Sequence, residues 1–310
     1  MDERAQAATA AGRTAAWKVY GAAVAYSVII GFSFLFNKIA LQVTGPVDIL
    51  AHRFTAAFAA LLLPALLQKV KLTYDRKKVS RILPLALFYP LLFFGFQTYG
   101  LQYVLSSEAG ILLAVSPIFT LLLASLFIRE KTNSRQMLSV FLSVGGVIFI
   151  LVQSGSGPSM HNVKGIILIL LSALSIAGYN VLARVLTREF SNLELSCLMI
   201  FLGFISFNLL ALGQHLQGGT LPAFLAPLKS LPFLFAILYL GVLSTALTSL
   251  LTNYVLTHLK AAKMSVFANL GTLITVLAGI VFLEEKLFYY HFLGSLLIVA
   301  GVLGTNFLGD

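Results

Sequence analysis

Long apolar runs without a charge constrain this chain more than any other feature. One of them, "ILPLALFYPLLFFGFQTYGLQYVL", covers residues 82–105. A helix needs about 20 apolar residues to cross the hydrocarbon core of a bilayer. Hydrophobic residues make up 59% of the chain and charged residues only 10%, whereas soluble domains carry about 25% charged residues. We therefore expect an integral membrane protein.

The same pattern predicts the type and number of the membrane spans. Alternating strands of about ten residues, the signature of membrane barrels, are absent, and helices satisfy their own backbone hydrogen bonds in lipid. The prediction is an all-α membrane protein with ten transmembrane helices. Their expected bounds are 18–42, 47–68, 82–105, 107–128, 135–153, 163–187, 192–216, 230–257, 262–283 and 288–308.

The N-terminal tail, residues 1–17, carries Asp2 and Glu3, and the apolar segment behind it is too long for a cleaved signal. The first span is therefore expected to be retained as a signal anchor. Cys197 is the single cysteine, so neither an internal disulfide nor a cysteine metal cluster is expected.

The placement of the 21 Lys and Arg residues predicts the topology. Most fall in alternate connections, six of them in "KVKLTYDRKKVSR", while Lys164, Lys229 and Lys286 fall on the other side. By the positive-inside rule both termini are cytoplasmic, and the protein is a multi-pass protein of the cytoplasmic (inner) membrane. A basic loop tethered at a membrane faces anionic lipid, so we expect the lipid bilayer and not a nucleic acid as its partner.

The chain contains an internal duplication. Residues 103–132 align with residues 258–287, and the paired identities include Tyr99 with Tyr254, Thr120 with Thr275, Phe127 with Phe282, Glu130 with Glu285, Lys131 with Lys286 and Gly146 with Gly301. A weaker match sets Asn37 beside Asn180. Each copy, 18–153 and 163–308, then has five spans, and an odd count inverts the second copy in the membrane. Inverted repeats are typical of secondary transporters, whose substrate site lies between the copies.

The segments "GFSFLFNKIAL", "GPVDILAHRF" and "SEAGILLAVSPIFTLLLASLFIREK", the last with a degenerate second copy, resemble the drug/metabolite transporter superfamily in its EamA-type ten-span branch. The resemblance covers roughly residues 20–305. It implies a carrier of small organic solutes, often an exporter of amino acids, metabolites or drugs. The chain departs from the family pattern at Thr272, where the family often has the proline that Pro117 provides in the first copy.

Polar side chains at helical spacing within apolar spans indicate an interior or a cavity, because lipid-facing surfaces are apolar. Buried amides are the strongest candidates, since an unpaired amide costs several kcal/mol in lipid. The predicted substrate-binding residues are Asn37, Lys38, His52, Arg53, Gln97, Ser116, Tyr179, Asn180 and Asn269. The alternative for the hydroxyls is that they bond back to carbonyls of their own helix or to a neighbouring helix. The fifth and tenth spans are poorer in such stripes. They are expected to be peripheral and to pack through small residues such as Ser139, Ser143 and Gly301.

Two cations, Lys38 and Arg53, lie near the outer ends of the first two spans, roughly 5–10 Å below the interface at 1.5 Å per residue. One interpretation is a positive outer mouth, supported by His52 and Asn37, that favours anionic solutes, because Arg binds carboxylate or phosphate with paired donors. The alternative is that both side chains snorkel to the interface.

Two further features have open interpretations. Pro90 and Pro117 are expected to kink their spans, with Pro117 on the cavity side. Glu130 and Glu285 occupy mirrored ends of the fourth and ninth spans. The favoured interpretation is that these acids are solvated at the interface, and the alternative is a pair of gate or cap contacts.

No acidic residue occupies a span centre, which disfavours direct proton coupling through a buried carboxylate and favours facilitated diffusion or exchange. The protein is not expected to be an enzyme, because the chain lacks a convergent nucleophile and base, an HExxH motif or paired deep carboxylates. No cofactor is expected. An ion channel is disfavoured because no carbonyl filter or charged ring is evident.

The prediction is a secondary transporter that moves a small-molecule substrate by alternating access, an exporter of amino acids or related metabolites, acting as a monomer or homodimer. The second choice is an exchanger of an anionic metabolite such as a sugar phosphate, as in the related organellar carriers.

Overall fold

The computed structural model describes residues 2–66, 80, 83–128, 133–155, 160–186, 192–256 and 261–307. Within those ranges all regular structure is helical, as predicted. The α-helices are α1 (Asp2–Leu41), α2 (Pro46–Leu66), α3 (Phe93–Gly100), α4 (Ser106–Leu113), α5 (Ser116–Leu123), α6 (Ser134–Gly155), α7 (Met160–Leu186), α8 (Asn192–Gln217), α9 (Leu221–Leu225), α10 (Leu231–Leu238), α11 (Thr248–Leu256), α12 (Ala261–Leu283) and α13 (Tyr289–Phe307). Between them lie the π-helical segments π1 (Leu87–Leu92), π2 (Ala124–Ile128) and π3 (Tyr239–Leu247) and a 3-10 turn (Ala226–Lys229).

Five helical stretches of the described residues are long and apolar enough to cross a membrane: Trp17–Leu41, Ser106–Phe127, Asn162–Ala183, Glu194–Gln217 and Leu231–Thr252. Shorter apolar helices cover Ser134–Ile150, Leu270–Leu283 and Tyr289–Gly304. These helices fit a multi-pass membrane protein. The count of ten spans and the inverted orientation of the second copy stay predictions.

The outer surface of the helix bundle is apolar. Side chains of α6 such as Leu138 and Phe141 are 71% and 67% exposed, and Leu296 of α13 is 68% exposed. Apolar surface of this kind is unfavourable in water and is compatible with contact to lipid tails. The periphery of the bundle is therefore suited to a bilayer.

The helix contacts have a regular pattern. Helix α1 packs against α12 and α11, and α7 packs in the same way against α5 and α3. Helix α2 packs against π3, and α8 packs against π1. Three further pairs join corresponding helices of the two copies, namely α2 with α8, α4 with α12 and α6 with α13. Each of these helix contacts therefore has a counterpart between the corresponding helices of the other copy. A duplication whose copies are related by a two-fold axis would produce this pattern.

Small residues of the fifth and tenth predicted spans bring α6 and α13 close together, a pairing that the sequence analysis did not predict. A Cβ atom added to Gly301 would lie 2.5 Å from the carbonyl oxygen of Ser139 and 2.6 Å from the Cβ of Ser143. The Ser143 hydroxyl also donates a hydrogen bond to the carbonyl of Ile298 at 3.4 Å. Helices pack this closely in membranes where small side chains let their backbones approach.

Two helices are interrupted at the predicted prolines. Tyr89, directly before Pro90 within π1, has the non-helical dihedrals φ −142° and ψ 118°. Helix α4 ends at Leu113, and a new helix, α5, begins at Ser116 with Pro117 in its first turn. Interrupted helices in transporters leave backbone groups free to line a polar interior.

Candidate substrate site

Arg53 is the most deeply buried charge among the described side chains. It lies two turns into α2, and only 2% of its surface is exposed. Its Nε donates a hydrogen bond to Thr245 Oγ1 at 2.9 Å, and its Nη2 lies 3.4 Å from Ser244 Oγ. Its Cζ lies 4.2 Å from the centre of the Phe94 ring, a cation–π contact. Helices α2 and α3 and segment π3 thus hold the guanidinium together.

The close approach of α2 and π3 depends on Gly241. A Cβ at this position would lie 2.6 Å from both the Arg53 carbonyl oxygen and the Ala56 Cβ. The Thr245 hydroxyl donates a hydrogen bond to the carbonyl of Leu240, five residues earlier, at 2.7 Å. Because its hydrogen is used there, its lone pairs face the Arg53 Nε. The local π-helical geometry therefore orients the acceptor that holds Arg53.

One edge of the Arg53 guanidinium is not used by the surrounding side chains. Nη1 is buried and has no hydrogen-bond partner among the described residues, and no described carboxylate forms an ion pair with Arg53. A buried charge without a counter-charge is costly, by several kcal/mol in proteins. A guanidinium with Nε engaged can still bind a carboxylate or phosphate through Nη1 and Nη2.

Aromatic rings surround the guanidinium. The Tyr89 ring lies 5.3 Å from the Phe94 ring and 5.1 Å from the ring of Tyr179 on α7, measured between ring centres. Phe54 packs against Phe94 at 5.3 Å. Tyr179 was predicted to be a site residue, whereas the sequence pattern did not single out Tyr89 or Phe94. The Tyr-Pro pair at the helix interruption is the signal that points to Tyr89.

Two predicted amides lie in the interior, as expected for polar groups in a membrane protein. Asn37 on α1 is 1% exposed, and its Oδ1 has no hydrogen-bond partner within the described part of the chain. Gln97 on α3 is 5% exposed. Neither donates or accepts a hydrogen bond with Arg53 among the described contacts. They are buried polar groups that do not belong to the described Arg53 contacts.

The remaining polar candidates differ from one another. Ser116 begins α5, and its carbonyl accepts a hydrogen bond from the Thr120 hydroxyl at 3.0 Å. The side chain of Asn180 on α7 is exposed, unlike that of its sequence mate Asn37. Asn269 belongs to α12, but its side chain lies outside the described part of the structure.

Several isolated hydroxyls bond back to their own helices, which is the alternative given above for such residues. The Ser33 hydroxyl donates to the carbonyl of Ile30 at 2.6 Å. Those of Ser175 and Thr248 donate to carbonyls one turn earlier, at 2.7 and 2.8 Å. These groups need no solute to satisfy them.

The expected outer mouth stays a prediction, and the structure shows the surroundings of its members. Arg53 is buried and bonded inside the bundle, so it does not snorkel. The His52 Nε2 lies 2.9 Å from the carbonyl of Phe224, and the two rings stack at 4.5 Å, so this imidazole has a structural role against α9. Lys38 is half-buried in the last turn of α1, within electrostatic reach of Glu285 and Glu108. The two cations therefore have different surroundings.

A second polar cluster joins α2 and α8. The Asp48 carboxylate accepts hydrogen bonds from Thr44 Oγ1 at 2.8 Å and from His215 Nε2 at 3.0 Å. A cleft of about 490 Å³ adjoins it, lined by Val43, Thr44, Asp48, His215, Ala223, Ala226 and Pro227. Both carboxylate oxygens already have protein partners, so we assign this cluster a structural role.

The Glu285 side chain is half-buried and bonded to the protein, which differs from the favoured interpretation of a solvated acid. Its carboxylate accepts hydrogen bonds from the backbone N–H groups of Ser106 and Ser107 at 2.6 and 2.9 Å and from the Ser107 hydroxyl. It therefore caps the N-terminus of α4, which is the alternative stated above. Glu130 lies outside the described residues.

Apolar helices around a buried, unpaired guanidinium define an integral membrane protein with a polar interior site. The sequence of the chain matches the model of the EamA-like transporter family twice, over residues 17–152 and 163–307. The chain belongs to this family. The family and the fold together make it a multi-pass membrane protein of the transporter class, as the sequence predicts.

The names of two relatives agree with this class. An uncharacterized transporter of Bacillus subtilis (strain 168), YcxC, is 50% identical over 287 residues, covering 93% of this chain and 92% of the relative. An uncharacterized transporter of Archaeoglobus fulgidus is 26% identical over 281 residues, covering 88% of this chain and 92% of the relative. A solved crystal structure of a protein has the same fold, with a TM-score of 0.61 at 16% identity over 92% of this chain and 96% of that one.

Proposed function

We propose that the protein is a secondary carrier that exports a small organic metabolite and that Arg53 binds an anionic group of this solute. The observation that carries the proposal is the buried guanidinium whose Nη1 has no partner among the described residues. A polar group this costly to bury is expected to serve a function in a membrane protein. A carboxylate bound there would offset the cost of the buried charge.

Transport by alternating access is the mechanism that we propose. Two matches to one family model within a single chain support a duplicated architecture. The exchange symmetry of the helix contacts supports it independently. In carriers built from inverted repeats, the halves rock around a site near the membrane midplane. Arg53 is suited to this position because it contacts π3 of the second copy from α2 of the first.

The charge of the site favours a solute with a single carboxylate, such as an amino acid or a related metabolite. Arg53 has no second cation among its described contacts, and Lys38 lies within electrostatic reach of acidic side chains instead. A phosphate group carries close to two negative charges at neutral pH, and one guanidinium balances only one of them. We therefore favour a carboxylate over a sugar phosphate, which remains the second choice.

Aromatic side chains would complete such a site. Phe94 already stacks on the Arg53 guanidinium, and Tyr89 and Tyr179 extend the same wall. Solute pockets combine apolar and aromatic walls with a few polar groups that fix orientation. Here the anionic end of the solute would bind Arg53, and its carbon skeleton would contact the rings.

The test begins with ligand identification. Purified protein is screened by thermal unfolding against amino acids, nucleobases, vitamins and sugar phosphates, because a ligand stabilises the state that it binds. Solutes that raise the melting temperature are then loaded into proteoliposomes, and uptake of labelled solute is followed by counterflow. We expect saturable counterflow of a carboxylate-bearing solute, recovered chemically unchanged. A solute that is chemically converted would contradict the carrier assignment and indicate an enzyme. Flux that does not saturate would indicate a channel.

A further inference from the structure

The contact between Glu285 and α4 joins the two copies of the duplication. Glu285 follows α12 of the second copy, and Ser106 and Ser107 begin α4 of the first. The carboxylate accepts both backbone N–H groups and the Ser107 hydroxyl. A carboxylate at a helix N-terminus also interacts favourably with the helix dipole. By the predicted topology this contact lies at the outer face.

The local structure positions this carboxylate closely. Glu284, the residue after α12, has a positive φ of 54°, a conformation that usually follows a helix end. The chain then folds back, and the backbone N–H of Glu285 donates to the carbonyl of Gly279 at 3.1 Å. A Cβ at Gly279 would clash with the Glu285 carboxylate, so the absence of a side chain there makes room for it.

The surroundings of the contact bear charge of the opposite sign. The Lys38 ammonium at the end of α1 lies within electrostatic reach of both Glu285 and Glu108. Beneath the carboxylate, the Ser106 side chain is fully buried, and its hydroxyl has no hydrogen-bond partner among the described residues. Ser106 is thus shielded while its backbone N–H binds Glu285.

We propose that Glu285 is a latch that closes the outer face of the carrier by capping α4 of the opposite copy. This inference rests on one part of the proposed function, namely that the two halves move relative to each other. When the halves rock apart at this face, the carboxylate leaves the α4 N-terminus, and the buried first turn of α4 becomes accessible. Water then takes over the hydrogen bonds of the released groups.

The latch is tested by the reactivity of a cysteine placed beneath it. The full-length Cys197→Ala protein with Ser106→Cys keeps the backbone N–H that binds Glu285 and replaces a hydroxyl that has no described partner. Purified protein in detergent is reacted with a fluorescent maleimide, so the readout needs no substrate and no defined orientation. We expect slow labelling in this parent, because Ser106 is fully buried.

Adding Glu285→Gln is expected to raise the labelling rate about tenfold, the factor for loss of one charge-assisted hydrogen bond. The matched control is Glu284→Gln, which removes the same charge from the exposed neighbouring side chain and should leave the rate unchanged. Gly279→Ala should also raise the rate, because it displaces the carboxylate without altering it.

Equal labelling rates in the parent, Glu285→Gln and Gly279→Ala proteins would overturn the latch, whether all three rates are slow or all three are fast. If Glu285→Gln fails to fold, Ser107→Ala decides the question, because it removes one accepted bond and is expected to raise the rate by a smaller factor. Labelling reports on the latch even if no solute is transported, and counterflow reports on transport even if labelling shows no latch. The two failures are therefore distinguishable.

Discussion

Lys38 and Arg53 are two cations that start at similar predicted depths on adjacent helices, yet they have different surroundings. Arg53 is 2% exposed, bonded to π3 and stacked on Phe94. Lys38 is half-buried at the end of α1 and lies within electrostatic reach of Glu285 and Glu108. The comparison shows that depth along a helix does not define the role of a charge. The neighbouring helices do: they bury Arg53 in the proposed solute site, and they bring Lys38 within electrostatic reach of Glu285, the residue of the proposed latch.

The largest expected effect is that of Arg53→Gln on solute binding. Removing one partner of a buried, hydrogen-bonded charge pair costs about 2–5 kcal/mol, so we expect at least about thirtyfold weaker binding of the carboxylate solute. Isothermal titration of the solute found in the thermal screen measures this loss. The affinity of Arg53→Lys should lie between those of the unaltered protein and Arg53→Gln, because lysine keeps the charge and loses the paired donors.

The same variant has a second expected consequence for stability. Without solute, Arg53→Gln should melt at the same or a higher temperature than the unaltered protein, since it removes a buried charge that lacks a counter-charge. A large drop in melting temperature would mean that Arg53 serves the fold rather than the solute.

A smaller effect is expected when the acceptor that orients Arg53 is removed. Thr245→Val leaves Nε buried without its 2.9 Å acceptor, and losing such a bond costs about 1 kcal/mol or more, roughly a fivefold loss of affinity. Thr248→Val is the matched control, because the described bonds of that hydroxyl go to the backbone carbonyls of Ser244 and Thr245 and not to Arg53. The solute affinity of Thr248→Val should change by less than about twofold. Equal losses in both variants would argue against a specific role for Thr245.

Lys38→Gln sharpens the comparison from the other side. Lys38 lies within electrostatic reach of Glu285 and Glu108 and has no described contact with Arg53. Its replacement should therefore change solute affinity by less than about threefold, as expected for a charge outside the binding contact. Titration under the conditions used for the Arg53 variants measures this. A loss as large as that of Arg53→Gln would restore the single positive mouth that the sequence suggested.

The smallest effect concerns the turn that carries Glu285. Glu284 has a positive φ, which costs a non-glycine residue about 1 kcal/mol. Glu284→Gly should therefore raise the melting temperature by about one or two degrees, because part of the gain is lost to the greater freedom of glycine in the unfolded chain. Differential scanning fluorimetry measures this shift. A lower melting temperature would show that the Glu284 side chain stabilises the turn in another way.

Most of the fold follows from simple patterns in the sequence. Apolar runs predict the helices, and the proline positions predict the interruptions at Tyr89 and before Ser116, because proline removes a backbone donor and clashes with the preceding turn. Small residues predict that the fifth and tenth spans pack closely, but not that α6 and α13 pack against each other. These features depend on local chemistry, which is legible in one chain.

The site is less predictable because it depends on contacts between distant segments. Arg53 was predicted to bind an anion, but its burial depends on Gly241, which lets π3 approach α2. Glu285 was expected to be solvated, and its cap on α4 depends on a turn after α12 and on a helix start 179 positions away. Such pairings arise from tertiary packing, which the order of apolar residues does not encode visibly.

The central claim is that Arg53 binds the anionic group of the solute, and a matched pair of ligands tests it most directly. The stabilising carboxylate solute and its neutral amide are compared by thermal shift on the unaltered protein and on Arg53→Gln. We predict that the acid stabilises the unaltered protein clearly more than the amide does and that this difference vanishes in Arg53→Gln. An acid and amide that stabilise the unaltered protein equally, or a difference that persists without Arg53, would contradict the account.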